Sequence, residues 1–378
     1  MKAPKSILVI ATRRIGDVLL ATPLIRSLRA AWPAARIEVL AFRNTEGFLR
    51  ANPDIDRIIT VAERPSLGAH LRLVGSLFRR YDLAVSTLAG DRPTLYAWVA
   101  GRRRVGLLEQ ESRQFWWKRR LLTRWVPFDN LHTHTVAMNL RLADLLGIER
   151  RYEVVAAWSA QDEAAVAAAL PFDDGSQPFA LLHLYPKFPY KMWHRAGWAD
   201  LGCRLAARGM GVVLTGSNAA DELAYIAGII DLMPQGTVNL AGKLTLAQAA
   251  CLAARARIYV GPDTALTHTA AALGVPTVAL YGPSNPVKWG PWPRGHEQDR
   301  NPFEMRGSQR VGNVSLLQGR GDCVPCMEEG CDRHVNSLSR CLQELSADEV
   351  MDAVRAMLES PGNPDPAGHS AGAAPVAN

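Results

Sequence analysis

The chain has 378 residues, more than one typical domain and enough for two, each with its own core. Hydrophobic residues make up 48% of it and charged residues 21%, an ordinary globular composition that excludes disorder as the default. Lysine and arginine outnumber aspartate and glutamate by 43 to 36, and the net charge of +7 by itself suits nucleic acid, anionic lipid or an acidic small molecule.

Residues 7–11 form an apolar run that predicts a first strand but is too short for a signal-peptide core, and no uninterrupted apolar stretch is long enough to span a bilayer. The chain therefore reads as cytoplasmic. A helix is predicted over 18–31, strands over 37–41, 57–61 and 83–86, and helices over 70–78 and 135–146. Strands separated by helices indicate βαβ units and a parallel sheet. Between 92 and 131 the pattern weakens and places no element.

Turn formers gather at 171–178 and predict a linker. A second alternating series follows, with strands predicted over 179–183, 211–215, 258–260 and 277–281 and helices over 198–207, 221–230, 246–254 and 266–273. The expected organisation is an N-terminal domain over 1–170 and a C-terminal domain over 179–358, two doubly wound Rossmann-like α/β domains facing a cleft. A last helix is predicted over 347–358, and the Pro-, Gly- and Ala-rich residues 359–378 are expected to be a disordered tail.

Three segments carry chemistry. In the first, Arg14-Ile15-Gly16-Asp17, a glycine lets the backbone turn tightly where the first strand hands over to a helix, and Asp17 suits either an N-cap or a ligand-facing role. The second runs from Gly261-Pro262-Asp263-Thr264-Ala265 through His268 to Gly274. It reads as strand, polar turn, small-residue helix and glycine stop, and the N–H groups at such a helix start suit a pyrophosphate. Asp263 is itself unsuited to phosphate and fits a sugar hydroxyl or a cap, while His268 lies four residues from Thr264 on the same helical face. The third holds Cys323, Cys326, Cys331 and Cys341 with His334, ligand chemistry that suits a structural zinc ion, although the last spacing is not that of a standard finger. Separately, 101–124 is strongly basic, with Arg102, Arg103, Arg104, Arg113, Lys118, Arg119, Arg120 and Arg124 around Trp116 and Trp117. It is a candidate contact for an acidic ligand or membrane surface, or a solvated basic face.

Gly-Asp-x-Leu-x-x-x-Pro at the N-terminus, Asp-Thr-Ala-Leu-x-His at 263–268 and Ala-Ala-x-Gly-Val-Pro-Thr-Val-Ala-Leu-Tyr-Gly-Pro at 271–283 together resemble glycosyltransferase family 9, which includes the ADP-heptose:lipopolysaccharide heptosyltransferases. The resemblance runs from about 7 to 358. It implies a GT-B fold with an acceptor-binding N-terminal and a donor-binding C-terminal domain, and inverting transfer without a metal or other cofactor. On the matching positions it implies Asp17 as catalytic base and Lys191, Glu222, Asp263, Thr264, Ala265 and His268 as donor contacts. Arg14, Arg102, Arg103, Arg104, Lys118, Arg119 and Arg120 become candidate contacts to an acidic lipopolysaccharide-core acceptor at the inner-membrane surface, with ADP-heptose the favoured donor. The segment His183-Leu184-Tyr185-Pro186 departs from the His-Pro-Gly loop of many relatives. GT-B architecture also serves nucleotide-sugar epimerases, which would act on the donor alone. A basic nucleic-acid binder is the non-enzymatic alternative, and it lacks a recognition-helix pattern or any known nucleic-acid motif.

Overall fold

A computed structural model describes residues 2–109, 116–172 and 177–359. The backbone divides into two units, residues 1–155 with 297–301, and residues 156–296 with 302–378.

The first unit runs β1 (Ser6–Ala11), α1 (Ile15–Leu19), α2 (Thr22–Ala31), β2 (Arg36–Phe42), β3 (Arg57–Val61), α3 (Leu67–Leu77), β4 (Tyr81–Ser86), α4 (Asp91–Ala100), β5 (Gly101–Glu109), α5 (Trp116–Leu121), β6 (Arg124–Phe128) and α6 (Thr135–Leu146). Its six parallel strands lie in the order β3-β2-β1-β4-β5-β6. The central strands are apolar on both faces because helices cover both. On one face Val9, Val39 and Val85 pack with Leu24 and Leu28 of α2 and Met138 and Leu142 of α6. On the other, Leu8, Ile10 and Leu40 pack with Leu77 of α3 and Tyr96, Ala97 and Ala100 of α4.

The helix predicted over 18–31 is two helices. Pro23 sits in the first turn of α2, where a residue without an N–H is tolerated, and it could not have continued α1. The stretch 92–131, where the sequence placed nothing, holds most of α4, then β5, α5 and β6. Three arginines open β5, and Pro127 lies in β6, which is tolerated because β6 is the sheet's edge.

The second unit runs α7 (Ala160–Ala169), β7 (Phe179–His183), α8 (Arg195–Ala206), β8 (Gly211–Thr215), α9 (Ala220–Ile230), β9 (Val238–Asn239), α10 (Leu246–Arg255), β10 (Ile258–Pro262), α11 (Ala265–Ala272), β11 (Thr277–Tyr281), α12 (Pro286–Trp289), β12 (Gln309–Val311), β13 (Val314–Gln318), α13 (Arg340–Gln343) and α14 (Ala347–Leu358). The strand order is β12-β13-β11-β10-β7-β8-β9, parallel except for the edge strand β12. Capping boxes start α7 (Ser159 with Asp162), α10 (Thr245 with Gln248) and α14 (Ser346 with Glu349). After α11, Gly274 takes φ +83° and closes a Schellman motif, with Val275 N–H donating to Ala270 O and Gly274 N–H to Ala271 O.

The division falls between Val155 and Ala156, ahead of the linker expected at 171–178, because Val166 and Leu170 pack with Phe179, Leu181 and Leu252 of the second unit. Residues 173–176 of that linker, Arg113 of the basic segment and the expected tail from 360 onward lie outside the described residues.

Candidate active site

In an open α/β sheet, ligands bind beyond the carboxyl ends of the strands, where the strand order reverses. In the second unit that point lies between β7 and β10, since the chain steps from β7 to β8 on one side while β10 and β11 build the other. Lys191 follows β7 and Asp263 follows β10, so the topology brings them together across a separation of 72 residues. Lys191 Nζ lies 2.5 Å from Asp263 Oδ2. His268 Nε2 lies 3.7 Å from Asp263 Oδ1, and the Tyr281 hydroxyl, at the end of β11, donates to Trp289 O at 2.6 Å and lies 3.4 Å from that Asp263 oxygen.

Asp263 is almost fully buried, with a side-chain exposure of 8%. Burial alone would raise its pKa, but the Lys191 ammonium and then His268 hold it well below the usual carboxylate range, so it is ionised at any working pH. Burial and the Asp263 charge push the Tyr281 phenol well above its ordinary value. His268 Nδ1 is buried without a hydrogen-bond partner, a polar atom that awaits one.

Thr264 is the N-cap of α11, yet its side chain caps no backbone N–H. It turns to Thr267 Oγ1 at 3.2 Å, and Thr267 in turn donates to Pro262 O at 2.5 Å. The start of the helix at Ala265 is thus left without a side-chain cap from Thr264.

Beyond β8, the Ser217 hydroxyl donates to Glu222 Oε2 and Glu222 Oε1 is buried with no partner. A Cβ on Gly216 would stand 2.6 Å from that same Oε1, so glycine is what lets the carboxylate tuck against the strand end. Burial raises the Glu222 pKa, and the hydrogen bonds from Ser217 oppose the rise.

In the first unit the order reverses between β1 and β4. Asp17 follows β1, on the first turn of α1, with Arg13 Nε 3.6 Å from its Oδ1. The N-cap of α1 is Arg14, so the capping reading of Asp17 does not hold. Its negative charge still suits the helix dipole there. Lys118 reaches the loop after β4 with its buried side chain, donating to Ala89 O at 3.0 Å and pairing with Asp91 at 2.6 Å. Two further buried atoms at this end of the sheet, Thr12 Oγ1 after β1 and Glu46 Oε2 after β2, have no hydrogen-bond partner.

Arg102, Arg103 and Arg104 do not join this group. They open β5, and the register sets Arg103 opposite Leu83 and Leu83 opposite Ile7, near the start of β1. About 13 Å of strand separates them from the end that carries Arg14 and Asp17. Arg119 and Arg120 lie exposed on α5, over the rings of Trp125 and Trp116 at 5.1 Å and 5.0 Å.

The expected zinc ligands are free thiols, with Cys341 buried, Cys326 half-buried and Cys323 and Cys331 exposed. Burial first, and then the neighbouring cysteines, push the Cys341 thiol up to about 11. Among the described residues no group of three or more His, Cys, Asp or Glu side chains is placed to hold a metal ion.

The sequence pointed to Asp17, Lys191, Glu222, Asp263 and His268. It missed Tyr281, Thr12 and Glu46. The available signal was position, since Tyr281 ends the predicted strand 277–281 and Thr12 follows the predicted strand 7–11.

Two Rossmann-like bodies in series, each with polar groups gathered where its strand order reverses, give the chain a fold of the GT-B type. The sequence model of glycosyltransferase family 9 (heptosyltransferase) matches residues 73–313, and the chain belongs to that family. It is 26% identical over 285 residues to lipopolysaccharide heptosyltransferase 3 of Escherichia coli, covering 73% of this chain and 83% of that protein. Among solved structures, the family 9 glycosyl transferase of Veillonella parvula DSM 2008 superposes with a TM-score of 0.75 at 18% identity, over 95% of this chain and 98% of that one. An Escherichia coli heptosyltransferase solved with ADP superposes with a TM-score of 0.70 at 19% identity, over 93% of this chain and 99% of that one. At those identities the superpositions establish the fold.

Proposed function

We propose that this enzyme transfers heptose from ADP-heptose to an anionic lipopolysaccharide-core acceptor, by a single displacement that inverts the anomeric centre and needs no metal. The observation that carries the reading is the Lys191–Asp263–His268 group at the switch point of the second sheet, beside the start of α11. Similarity to a lipopolysaccharide heptosyltransferase and to a heptosyltransferase solved with ADP supports the choice of donor and acceptor.

As the bond from the anomeric carbon to the diphosphate breaks, its electron pair leaves with ADP and negative charge grows on the phosphate oxygens. The Lys191 ammonium and the N–H groups at the start of α11 stabilise that charge, the work a metal does in other transferases. Asp263, permanently ionised, holds Lys191 in place and accepts from sugar hydroxyls, while His268 Nδ1 supplies one further polar contact. The unpartnered Glu222 Oε1 accepts from a hydroxyl of the nucleoside. Asp17 takes the proton from the acceptor hydroxyl as its oxygen bonds to the anomeric carbon. Arg14, at the same end of the first sheet as Asp17, meets the acceptor's negative charge, whereas Lys118 is buried and already paired with Asp91.

The test is product analysis of the purified enzyme with ADP-heptose, with and without a core acceptor. ADP and heptosylated acceptor should form only when both substrates are present, and EDTA should not prevent it. An isomerised nucleotide-sugar formed without acceptor would instead make the protein an epimerase.

A further inference from the structure

We propose that the helical layer α3–α4–α5 of the first unit is a membrane-docking face that lies on an anionic phospholipid surface. The inference deepens the proposed function, since it says how an enzyme with a lipid-borne acceptor reaches it.

The first observation is α3. Its sequence, Leu-Gly-Ala-His-Leu-Arg-Leu-Val-Gly-Ser-Leu, is apolar for most of its length, yet only Leu77 is buried. Leu67 is 74% exposed, Leu71 59% and the following Phe78 68%. A helix of this composition normally turns its apolar stripe into a core. Here part of that stripe faces outward.

The neighbouring helices continue it. The helix α4 packs against α3 and α5 packs against α4, on the same side of the sheet. Leu95 and Trp98, three residues apart on α4, are each 42% exposed, and Trp116 on α5 is 59% exposed. These six side chains are half of the large exposed hydrophobic residues among the described residues. The helices α2 and α6, on the opposite side of the same sheet, contribute none. Scattered apolar residues on a surface mean little, whereas a concentration on one helical layer marks an interaction surface.

Charge selects the occupant. Arg72 on α3, Arg79 and Arg80 just after it, Arg119 and Arg120 on α5 and Arg124 on β6 are all exposed, and Arg120 lies over the ring of Trp116. The acidic residues of the layer are few: Glu63 and Asp91 are exposed at its edge, and Asp91 is already paired with Lys118. Leucine, phenylalanine and tryptophan among arginines is the composition of a surface that inserts shallowly between headgroups and holds anionic lipid by charge. Long arginine stems can lie along the apolar surface while their guanidinium groups reach phosphate. No helix of the described residues is long and apolar enough to cross a membrane.

The experiment is co-sedimentation of the full chain with vesicles that contain no acceptor, so that docking is read independently of sugar transfer. The wild type should bind phosphatidylethanolamine–phosphatidylglycerol vesicles, release with added salt and ignore phosphatidylcholine vesicles. Leu71→Ser/Phe78→Ser and Arg72→Glu/Arg80→Glu, which alter exposed side chains away from Asp17, should each lower binding by about tenfold or more. Both should keep wild-type turnover on a delipidated, soluble acceptor, with melting temperatures within a few degrees of the parent. Undiminished vesicle binding by both variants would overturn the proposal, as would a wild type that binds neither kind of vesicle. Sedimentation of the wild type as a dimer that the Ser variant dissociates would overturn it too, by assigning the face to a second copy of the chain. A wild type that binds the vesicles but transfers no heptose to the soluble acceptor would count against the proposed reaction and leave the docking face standing.

Discussion

The sharpest energetic consequence concerns the pair Lys191–Asp263. Its atoms are 2.5 Å apart, and the side chains are 18% and 8% exposed, so each charge is held largely out of water and depends on the other. Asp263→Asn keeps the shape and removes the charge, which leaves the Lys191 ammonium without its counter-ion. Breaking a buried pair from one side costs about 3 kcal/mol, at the lower end of the usual range because Lys191 retains some exposure. At roughly 2–4 °C per kcal/mol for a unit of this size, the melting temperature should fall by about 6–12 °C. The double variant Lys191→Met/Asp263→Asn should recover most of the loss, since it leaves no uncompensated charge.

The pH dependence has a definite sign. The folded-state pKa of Asp263 lies below its unfolded value near 3.8, so the folded protein binds fewer protons there and the stabilisation is complete above that value. The gap between wild type and Asp263→Asn should therefore be constant from pH 8 to about pH 5 and shrink as the pH falls below about 4 toward the folded pKa. Differential scanning calorimetry of Asp263→Asn, Lys191→Met, the double variant and the parent at several pH values measures all of this. A fall of less than 2 °C in the single variant, or losses that simply add in the double variant, would refute the reasoning.

Three further outcomes are expected. Asp17→Asn removes the proton acceptor, so turnover at saturating substrates should fall by about 10²-fold or more, with ADP affinity and melting temperature almost unmoved; turnover within a few-fold of the parent would remove the general-base role. Glu222→Gln should behave oppositely on stability and binding. Its folded pKa is raised above the usual 4.5 by burial, so ionised Glu222 destabilises the fold at neutral pH and the amide should raise the melting temperature, a gain that vanishes as the pH falls below about 4.5. In isothermal titration the same variant should bind ADP about tenfold more weakly, the scale of one lost hydrogen bond to a charged group. Initial rates should be unchanged by EDTA, and a rate abolished by EDTA and restored by magnesium would contradict metal-free transfer.

The second unit was the more legible in sequence, and the reason is periodicity. The strands 179–183, 211–215 and 277–281 are short apolar runs that turn formers bound tightly, and each falls on β7, β8 and β11 to the residue. The region 92–131 was opaque because its elements break their own local rules. The first turn of α4 carries a proline, β5 opens on three arginines that the end of a sheet leaves partly in solvent, and β6 carries a proline that only an edge strand tolerates. The basic segment 101–124 looked like one feature in sequence and is two in space, because β5 begins at the opposite end of the sheet from the residues around Asp17, while α5 lies in the exposed helical layer.

The candidate site divides along the same line. Gly16, Asp17, Asp263 and Thr264 could be singled out because a tight turn or a helix start leaves a local mark. What Asp263 does could not be read that way, since a lone aspartate after a strand is most simply a cap. Its role arises where β7 and β10 lie side by side and set Lys191 against it. Only then do burial and an adjacent ammonium compete for one carboxylate, and only then does the winner decide its charge. The unpartnered atoms carry the same lesson further. His268 Nδ1 and Glu222 Oε1 are buried without hydrogen bonds, a cost of about 1–3 kcal/mol each, and no residue pattern in the sequence marks either atom as unpartnered.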